Sequence, residues 1–244
     1  VRDGNADAFV SMGNTGAAYA IAMLDVLKRI PGVKRPALTA VFPVWNKPVI
    51  FIDVGANADA KVEWLEQFAI MGSVYAQTAL GLEKPRIATM SNGEEEGKGN
   101  QLTRAVQENM KTLDLNYVGH IEPKEVLGAA ADVIVMDGFV GNIFIKTFES
   151  SIRYFSDMLR EELTGSPIST IGAGLSRGAF DRVRKRLDTG EVGGAPLLGV
   201  NGIVIIGHGG ANANAVKNAI NQARLAVQGN TIEQLRERLA AEMS

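Results

Sequence analysis

The chain has 244 residues, of which 46% are hydrophobic, and its formal net charge is −2. This length and composition are enough for the buried core of one large α/β domain, so we expect residues 1–244 to form a single domain. The slight negative charge differs from the strong basic field of nucleic-acid-binding proteins, and we expect no nucleic-acid partner. The absence of cysteine excludes disulfides, thiolate metal ligands and an acyl-cysteine intermediate.

Short β-rich runs alternate with longer segments of helical period, a pattern typical of a three-layer α/β/α fold with a mostly parallel sheet. The predicted strands are 8–11, 37–41, 49–53, 86–90, 116–119, 132–136 and 203–206. The predicted helices are 15–29, 61–80, 100–113, 143–163, 213–228 and 231–241. No apolar run approaches the roughly 20 residues that a membrane-spanning helix requires. We therefore expect a soluble or peripheral protein, and the lack of cysteine is compatible with a cytoplasmic location.

Glycine-rich turns follow five of the predicted strands: SMGNTG, DVGANAD, SNGEEEGKGN, DGFVGN and GHGGANAN. In an open α/β sheet, ligands bind beyond the carboxyl ends of the strands, where helix N-termini present free N–H groups. We expect the five turns to converge there as an anion site. Taken singly, each turn is also explained by chain reversal alone, because Gly and Asn commonly fill turns.

The usual nucleotide fingerprints are missing from these turns. None fits the phosphate-binding pattern G-x-x-x-x-G-K-[ST], and none follows a strand as G-x-G-x-x-G with a later ribose-binding acid. The sequence also has no evident cluster of metal-binding carboxylates. We therefore expect neither a cofactor nor a metal.

A set of longer motifs resembles one known family in order and spacing across nearly the whole chain. The motifs are SMGNTGA at 11–17, IDVGAN at 52–57, QFAIMGSVYA at 67–76, GEEEGKGN at 93–100, ADVIVMDGFVGN at 131–142, GGAPLLG at 193–199 and the pair His208-Gly209. They resemble the phosphate acyltransferases of bacterial phospholipid synthesis, the PlsX family. Members usually carry about one further βα unit at the N-terminus, and we expect this chain to lack it.

The resemblance implies a reaction in which inorganic phosphate attacks the thioester of a long-chain acyl-acyl carrier protein, giving acyl phosphate. It also implies a fold similar to isocitrate and isopropylmalate dehydrogenases, and a homodimer. Two alternatives stay open: a catalytically impaired scaffold at a lipid surface, and a dehydrogenase of the related fold. The missing dinucleotide fingerprint disfavours the dehydrogenase.

Phosphate is itself nucleophilic, so the reaction requires positioning and stabilisation of an oxyanion rather than a strong base. Lys98 is the candidate for that charge, although a solvated lysine beside Glu94, Glu95 and Glu96 is the alternative. His208 is a candidate proton donor to the leaving thiolate, or a packed histidine. We expect Asp53 and Asp137 to orient Lys98 or backbone amides, and His120 to have no role. The predicted phosphate and substrate site comprises Gly13, Asn14, Thr15, Gly16, Asp53, Gly55, Asn57, Asn100, Asp137, Gly138, Asn142 and Gly194.

A helical hairpin is predicted at about 143–190, with apolar residues every three or four positions. Its connection carries Ile168, Ile171 and Leu175, flanked by arginines, a combination that favours contact with an anionic membrane surface. A dimer interface or a core contact is the alternative, and we assign the helical stripe to dimer packing and the tip to lipid. The same arginines suit an acidic carrier protein.

Overall fold

The computed structural model describes residues 1–44, 47–95, 97–187 and 193–242. Within these ranges one sheet contains eight strands: β1 Ala8–Met12, β2 Ala37–Val44, β3 Lys47–Ile52, β4 Ile87–Met90, β5 Tyr117–Ile121, β6 Val133–Val135, β7 Ala195–Leu198 and β8 Ile203–Gly207. The same ranges hold nine α-helices: α1 Thr15–Ala20, α2 Val62–Leu80, α3 Gln101–Met110, α4 Pro123–Val126, α5 Gly138–Thr164, α6 Pro167–Leu175, α7 Arg177–Leu187, α8 Ala213–Gln228 and α9 Thr231–Glu242. A π-helical segment, Ile21–Val26, continues α1.

The sheet contains two groups of strands that run in opposite directions. Its order is β1-β8-β7-β2-β3-β6-β4-β5. The strands β3, β6, β4 and β5 are mutually parallel, and β1 is parallel to β8. Three antiparallel pairings separate the groups: β3 with β2, β2 with β7, and β7 with β8. Since three reversals leave a net reversal, β1 and β8 run opposite to β3, β4 and β6. The described part of the sheet is therefore mixed, with four parallel pairings and three antiparallel ones.

Helices cover both faces of the sheet, which confirms the three-layer α/β/α architecture. The alternation of side chains along β3 sends Ile50 and Ile52 into the core beneath α2, α3, α8 and α9. Val49 and Phe51 point to the opposite face, where α4 and α5 pack. The α1 helix covers β8 on that same face, against Val204 and other buried side chains.

Two of the differences between the predicted elements and the structure have local reasons. The helix expected over 15–29 ends earlier, because Lys28 takes a left-handed conformation with a φ of 60°. The sequence also gave no prediction of β7, a run of four residues that includes Pro196. Proline removes a ladder donor and is uncommon within strands, which weakens the strand signal.

The first part of α5 is anchored in the core, and the remainder projects from the sheet. Phe144 stacks on Phe51 with ring centroids 5.4 Å apart, and Phe148 meets Phe42 edge-on at 5.8 Å. Beyond this point Tyr154 is 72% exposed. The projecting part of α5 leads into α6 and α7 at the position of the predicted hairpin, whose last residues, 188–190, lie outside the described residues. No helix in the described ranges is both long and apolar enough to cross a membrane.

Candidate functional site

The turn after β3 is built around the carboxylate of Asp53, which is fully buried. Its Oδ1 accepts hydrogen bonds from the backbone N–H groups of Leu38, Gly55 and Ala56, at 3.1, 3.1 and 3.0 Å. Its Oδ2 accepts from the backbone N–H of Asn57 at 2.7 Å and from Asn57 Nδ2 at 2.8 Å. Burial raises the pKa of Asp53 above its ordinary value, while these N–H donors oppose the rise. The carboxylate is occupied by the protein's own donors, so it shapes the turn rather than binding a ligand.

The same turn fixes the start of α5. Asn57 O accepts a hydrogen bond from the Gly138 N–H at 2.8 Å. A Cβ atom at Gly141 would overlap the carbonyl oxygen of Asp53, so only glycine permits this approach of helix to turn. Asn57 is itself buried, and its Nδ2 also donates to Pro36 O at 2.8 Å. Asp53 therefore orients backbone amides, as expected, and does not contact Lys98. The prediction that Asn57 lines the ligand site is revised, because its side chain is bonded within the turn.

Other predicted residues of this region lie at the surface or at helix starts. Asp137 caps α5, and its Oδ1 accepts from the Val140 N–H at 2.8 Å. The Asn142 side chain lies over Gly55, which leaves it half-buried at the rim of the turn. Asn100 caps α3 by accepting from the Thr103 N–H at 2.8 Å. Two helix N-termini with their dipoles therefore open beside one another, since β6 and β4 are neighbours in the sheet.

Lys98 lies in the loop of residues 93–99, which joins β4 to α3 and of which residue 96 is outside the described residues. Its backbone N–H donates to Glu95 O at 3.1 Å, which closes a turn. Its Nζ is 3.8 Å from Glu95 Oε2, and the lysine side chain is 52% exposed. An exposed ion pair of this length contributes little free energy, so the ammonium group remains available to an anionic ligand.

His208 follows β8 and faces solvent. Its Nδ1 accepts a hydrogen bond from the Gly210 N–H at 3.1 Å. The neutral ring therefore carries its proton on Nε2, directed away from that turn. An outward N–H of this kind can donate to a ligand.

The remaining predicted residues lie near His208. Asn14 caps α1 by accepting from the Ala17 N–H at 2.9 Å, and Thr15 and Gly16 form the exposed first turn of that helix. Gly13 donates its N–H to Gly207 O at 3.2 Å, which ties the turn after β1 to the end of β8. Gly194 precedes β7 and packs closely on Ile205 of β8.

A cavity of about 380 Å³ opens beside His208, between α5, α7 and the start of α8. It is lined by Glu149, Ile152, Arg153, Leu187, Gly193, His208, Gly210, Ala211, Asn212 and Ala215. Neither Glu149 nor Arg153 is among the predicted phosphate and substrate site residues. The length of α5 is the signal that would have found them. At about 1.5 Å per residue, a helix that starts at one sheet edge reaches the other within some three turns.

The predicted site residues fall into two separate groups rather than one. The first turn group comprises the turns after β3, β4 and β6, with Asp53, Lys98 and Asn142. The second turn group comprises the turns after β1 and β8 and the start of β7, with Asn14, Gly194 and His208. Because β1 and β8 run opposite to β3, β4 and β6, the two groups lie at opposite edges of the sheet, which here means at opposite ends of its strands.

Lys98 and His208 are consequently far apart within one protomer. Five strand spacings separate β4 from β8, which is about 24 Å along the sheet at roughly 4.8 Å per spacing. The opposite strand directions add the height of the sheet to this separation. Neither side chain spans such a distance, so the expected convergence of all five turns on one site is wrong for a single protomer.

Comparison with known proteins identifies the family. The sequence model of the FA_synthesis family, described as a fatty acid synthesis protein, matches residues 1–234. The phosphate acyltransferase of Trichlorobacter lovleyi is 45% identical over 240 residues, which cover 98% of this chain and 69% of that protein. The phosphate acyltransferase of Geobacter sulfurreducens is 43% identical over 244 residues, covering 100% of this chain and 70% of the relative. The chain belongs to this phosphate acyltransferase family.

Solved structures support the fold of this family member. A phosphotransacetylase from Streptococcus pyogenes superposes with a TM-score of 0.58 at 20% identity, covering 96% of this chain and 65% of that one. The EutD phosphotransacetylase from Staphylococcus aureus gives a TM-score of 0.57 at 17% identity, covering 94% of this chain and 65% of that one. The chain thus spans slightly less than two thirds of the length of these structures, and at such identities the likeness concerns the fold.

The Asp53 network yields a stability prediction. Asp53→Asn would turn an amide NH₂ toward N–H donors and leave them unsatisfied in a buried site. We expect the free energy of unfolding to fall by about 3 kcal/mol or more, as measured by urea titration. Asp137→Asn is the matched control, because Asn caps helices as well as Asp does. Equal stability of the two variants would contradict the structural role of Asp53.

Proposed function

We propose that this protein transfers a long-chain acyl group from acyl carrier protein to inorganic phosphate, in membrane phospholipid synthesis. Membership in the phosphate acyltransferase family supports acyl transfer with phosphate. The observation that carries the proposal is the half-exposed ammonium group of Lys98 in the loop that leads directly into the N-terminus of α3. A positive charge and the dipole of this helix together favour an anion at this position.

In the proposed step, a phosphate oxygen attacks the thioester carbonyl carbon and the carbon–sulfur bond then breaks. The products are acyl phosphate and the carrier-protein thiolate, which takes up one proton. Lys98 Nζ stabilises the phosphate or the oxyanion that develops on the thioester carbonyl. The capping bonds of Asn100 engage the N–H groups of Thr103 and Arg104, so those of Gln101 and Leu102 remain for the phosphate oxygens. Asn142 adds a neutral polar group at the rim.

We assign to His208 the hydrogen bond that stabilises the leaving sulfur, because its Nε2–H faces away from its own turn. The proton that the thiolate takes up is the one that HPO₄²⁻ releases as it becomes acyl phosphate. Gly13, Asn14, Thr15 and Gly16 would line the substrate beside it. A single protomer holds Lys98 and His208 at opposite sheet edges, so both act on one thioester only if two protomers share the site. We therefore propose a homodimer in which the first turn group of one protomer faces the His208 cavity of its partner. Exposed apolar side chains on α5, among them Phe155 at 56% exposure, support dimer packing.

The hairpin tip supports a peripheral position at the cytoplasmic face of a membrane. Ile168, Ile171 and Leu175 are 83%, 66% and 86% exposed on α6. The neighbouring α7 carries five basic residues and one acidic residue in its sequence. Exposed apolar groups beside cations favour an anionic lipid surface. The arginines that do not meet lipid would bind the acidic carrier protein.

The proposed activity is tested by trapping acyl phosphate with hydroxylamine. We expect the native protein, including any residues that precede Val1, to form a hydroxamate that depends on both acyl carrier protein thioester and phosphate. Lys98→Ala should lower kcat/KM for phosphate by roughly 10²-fold, the usual loss when one oxyanion-stabilising group is removed. Lys84→Ala is the control, since Lys84 is an exposed lysine at the amino end of β4. A folded native protein without any product would favour the lipid-surface scaffold instead.

Mixed dimers test the shared site. Lys98→Ala and His208→Ala protomers, carrying different tags, are co-expressed and their heterodimer is purified. If the site is shared, one of the two sites in this heterodimer has both Lys98 and His208. We therefore expect the heterodimer to show about half of the unmutated protein's activity, although each variant homodimer is inactive. An inactive heterodimer would refute sharing, and full activity of the His208→Ala homodimer would remove His208 from the reaction.

The membrane contact is tested by sedimentation with phosphatidylglycerol vesicles. Ile168→Asp combined with Ile171→Asp should lower vesicle binding at least about tenfold, because burial of each isoleucine contributes about 2 kcal/mol. Activity on soluble substrates should be unchanged. Ile220→Asp serves as a control, since Ile220 is 55% exposed on α8. Equal sedimentation of the tip variant and the parent would remove the membrane contact from the proposal.

A further inference from the structure

The edge strand β5 ends against the loop that carries Lys98. His120 Nε2 lies 3.2 Å from the carbonyl oxygen of Glu95. A carbonyl oxygen only accepts, so the histidine nitrogen is the donor. The same oxygen accepts the backbone N–H of Lys98 at 3.1 Å. One peptide carbonyl therefore joins His120 to the backbone of Lys98.

A second contact from the same segment reaches the loop. Lys124 Nζ lies 3.7 Å from Glu94 Oε2 and 3.1 Å from Glu122 Oε2. Glu122 is fixed in turn, because it forms a capping box with Glu125 at the start of α4. These ion pairs are exposed, so each contributes little, and the hydrogen bond of His120 is the more direct restraint on the backbone.

The loop has a particular need for such restraints. Gly97 and Gly99 flank Lys98 with φ angles of 84° and 102°, a left-handed conformation that glycine adopts without strain. Glycine loses more conformational entropy than other residues when it is ordered. Ordering the backbone of each residue costs conformational entropy, so bonds from outside a glycine-rich loop help to keep it in place.

We propose that His120 is a positioning residue for acyl transfer to phosphate, which holds the Lys98 turn through the Glu95 carbonyl. The role rests on the proposed function of Lys98, since a fixed backbone sets where the ammonium group meets phosphate. Misplacement of a catalytic group by about 1 Å can cost about 10²-fold in rate. The partial restraint from Lys124 makes the loss on removing His120 smaller than that limit.

Hydrogen exchange of the Lys98 amide tests, without any substrate, whether the hydrogen bond from His120 to the Glu95 carbonyl holds the loop. We call this hydrogen bond the tether. His120→Met removes the donor and keeps the side chain's bulk, whereas His120→Gln keeps an N–H donor at similar reach. We expect several-fold faster exchange of the 93–99 segment in the Met variant and near-parent exchange in the Gln variant. Val118→Met is the control, because Val118 is an exposed residue of the same strand, 45% accessible. Unchanged exchange in the Met variant would overturn the tether.

Kinetic measurements then distinguish a positioning role of His120 from a purely structural one. In the native protein, His120→Met should lower kcat/KM for phosphate about tenfold while KM for the acyl donor is unchanged, and His120→Gln should recover most of the loss. Equal activity of parent and Met variant would refute the positioning role even if exchange differs. If the parent itself makes no acyl phosphate, the proposed function fails, while the exchange comparison still decides the tether.

Discussion

The buried carboxylate of Asp53 is the constraint on which the first turn group depends. Removing a charge from water is costly, and here five N–H donors compensate it. Those donors come from β2 as well as from the turn after β3, so the carboxylate ties neighbouring strands together. Through Asn57 and Gly141 the same turn fixes where α5 begins. A polar group inside the protein thus sets the position of a helix whose other end lies far outside the core.

Local features of the fold were predictable from the sequence, whereas the order of strands in the sheet was not. The alternation in β3 and the long apolar helix α2 each leave a periodic pattern, and their positions were predicted to within a few residues. A strand has the same pattern of side chains in either direction, so direction has to be inferred from the connections. The short segment between the predicted strands 37–41 and 49–53 does indicate an antiparallel pair, because a parallel crossover needs about a dozen residues or more, but the prediction of a mostly parallel sheet did not use it. The predicted single site followed from assuming that all five turns share one edge. Sheet order, which depends on contacts distant in sequence, divides them.

The polar residues of the turns show a second limit of sequence reasoning. Glycine-rich turns after strands contain Asp53, Asn57 and Lys98. Composition alone therefore predicts equally for all three that their side chains bind a ligand. Burial separates them, because Asp53 and Asn57 are enclosed while Lys98 is half-exposed. His120 was expected to have no role. Its contact with Glu95 joins segments 25 residues apart in the chain, so the sequence pattern around His120 does not indicate it. Side-chain burial and long-range contacts are properties of the folded chain.

The continuous helix α5 limits the insertions and deletions that this protein can accommodate. Its first turn is fixed by the Asp53 turn, its middle borders the His208 cavity, and its last turns support the hairpin tip. Each residue advances a helix by about 100°, so inserting or deleting one residue past Phe148 would rotate the tip by that angle. The apolar side chains of α6 would then face a different direction relative to the sheet. Related chains should therefore differ in this helix by whole turns, in steps of roughly seven or eleven residues, rather than by single residues.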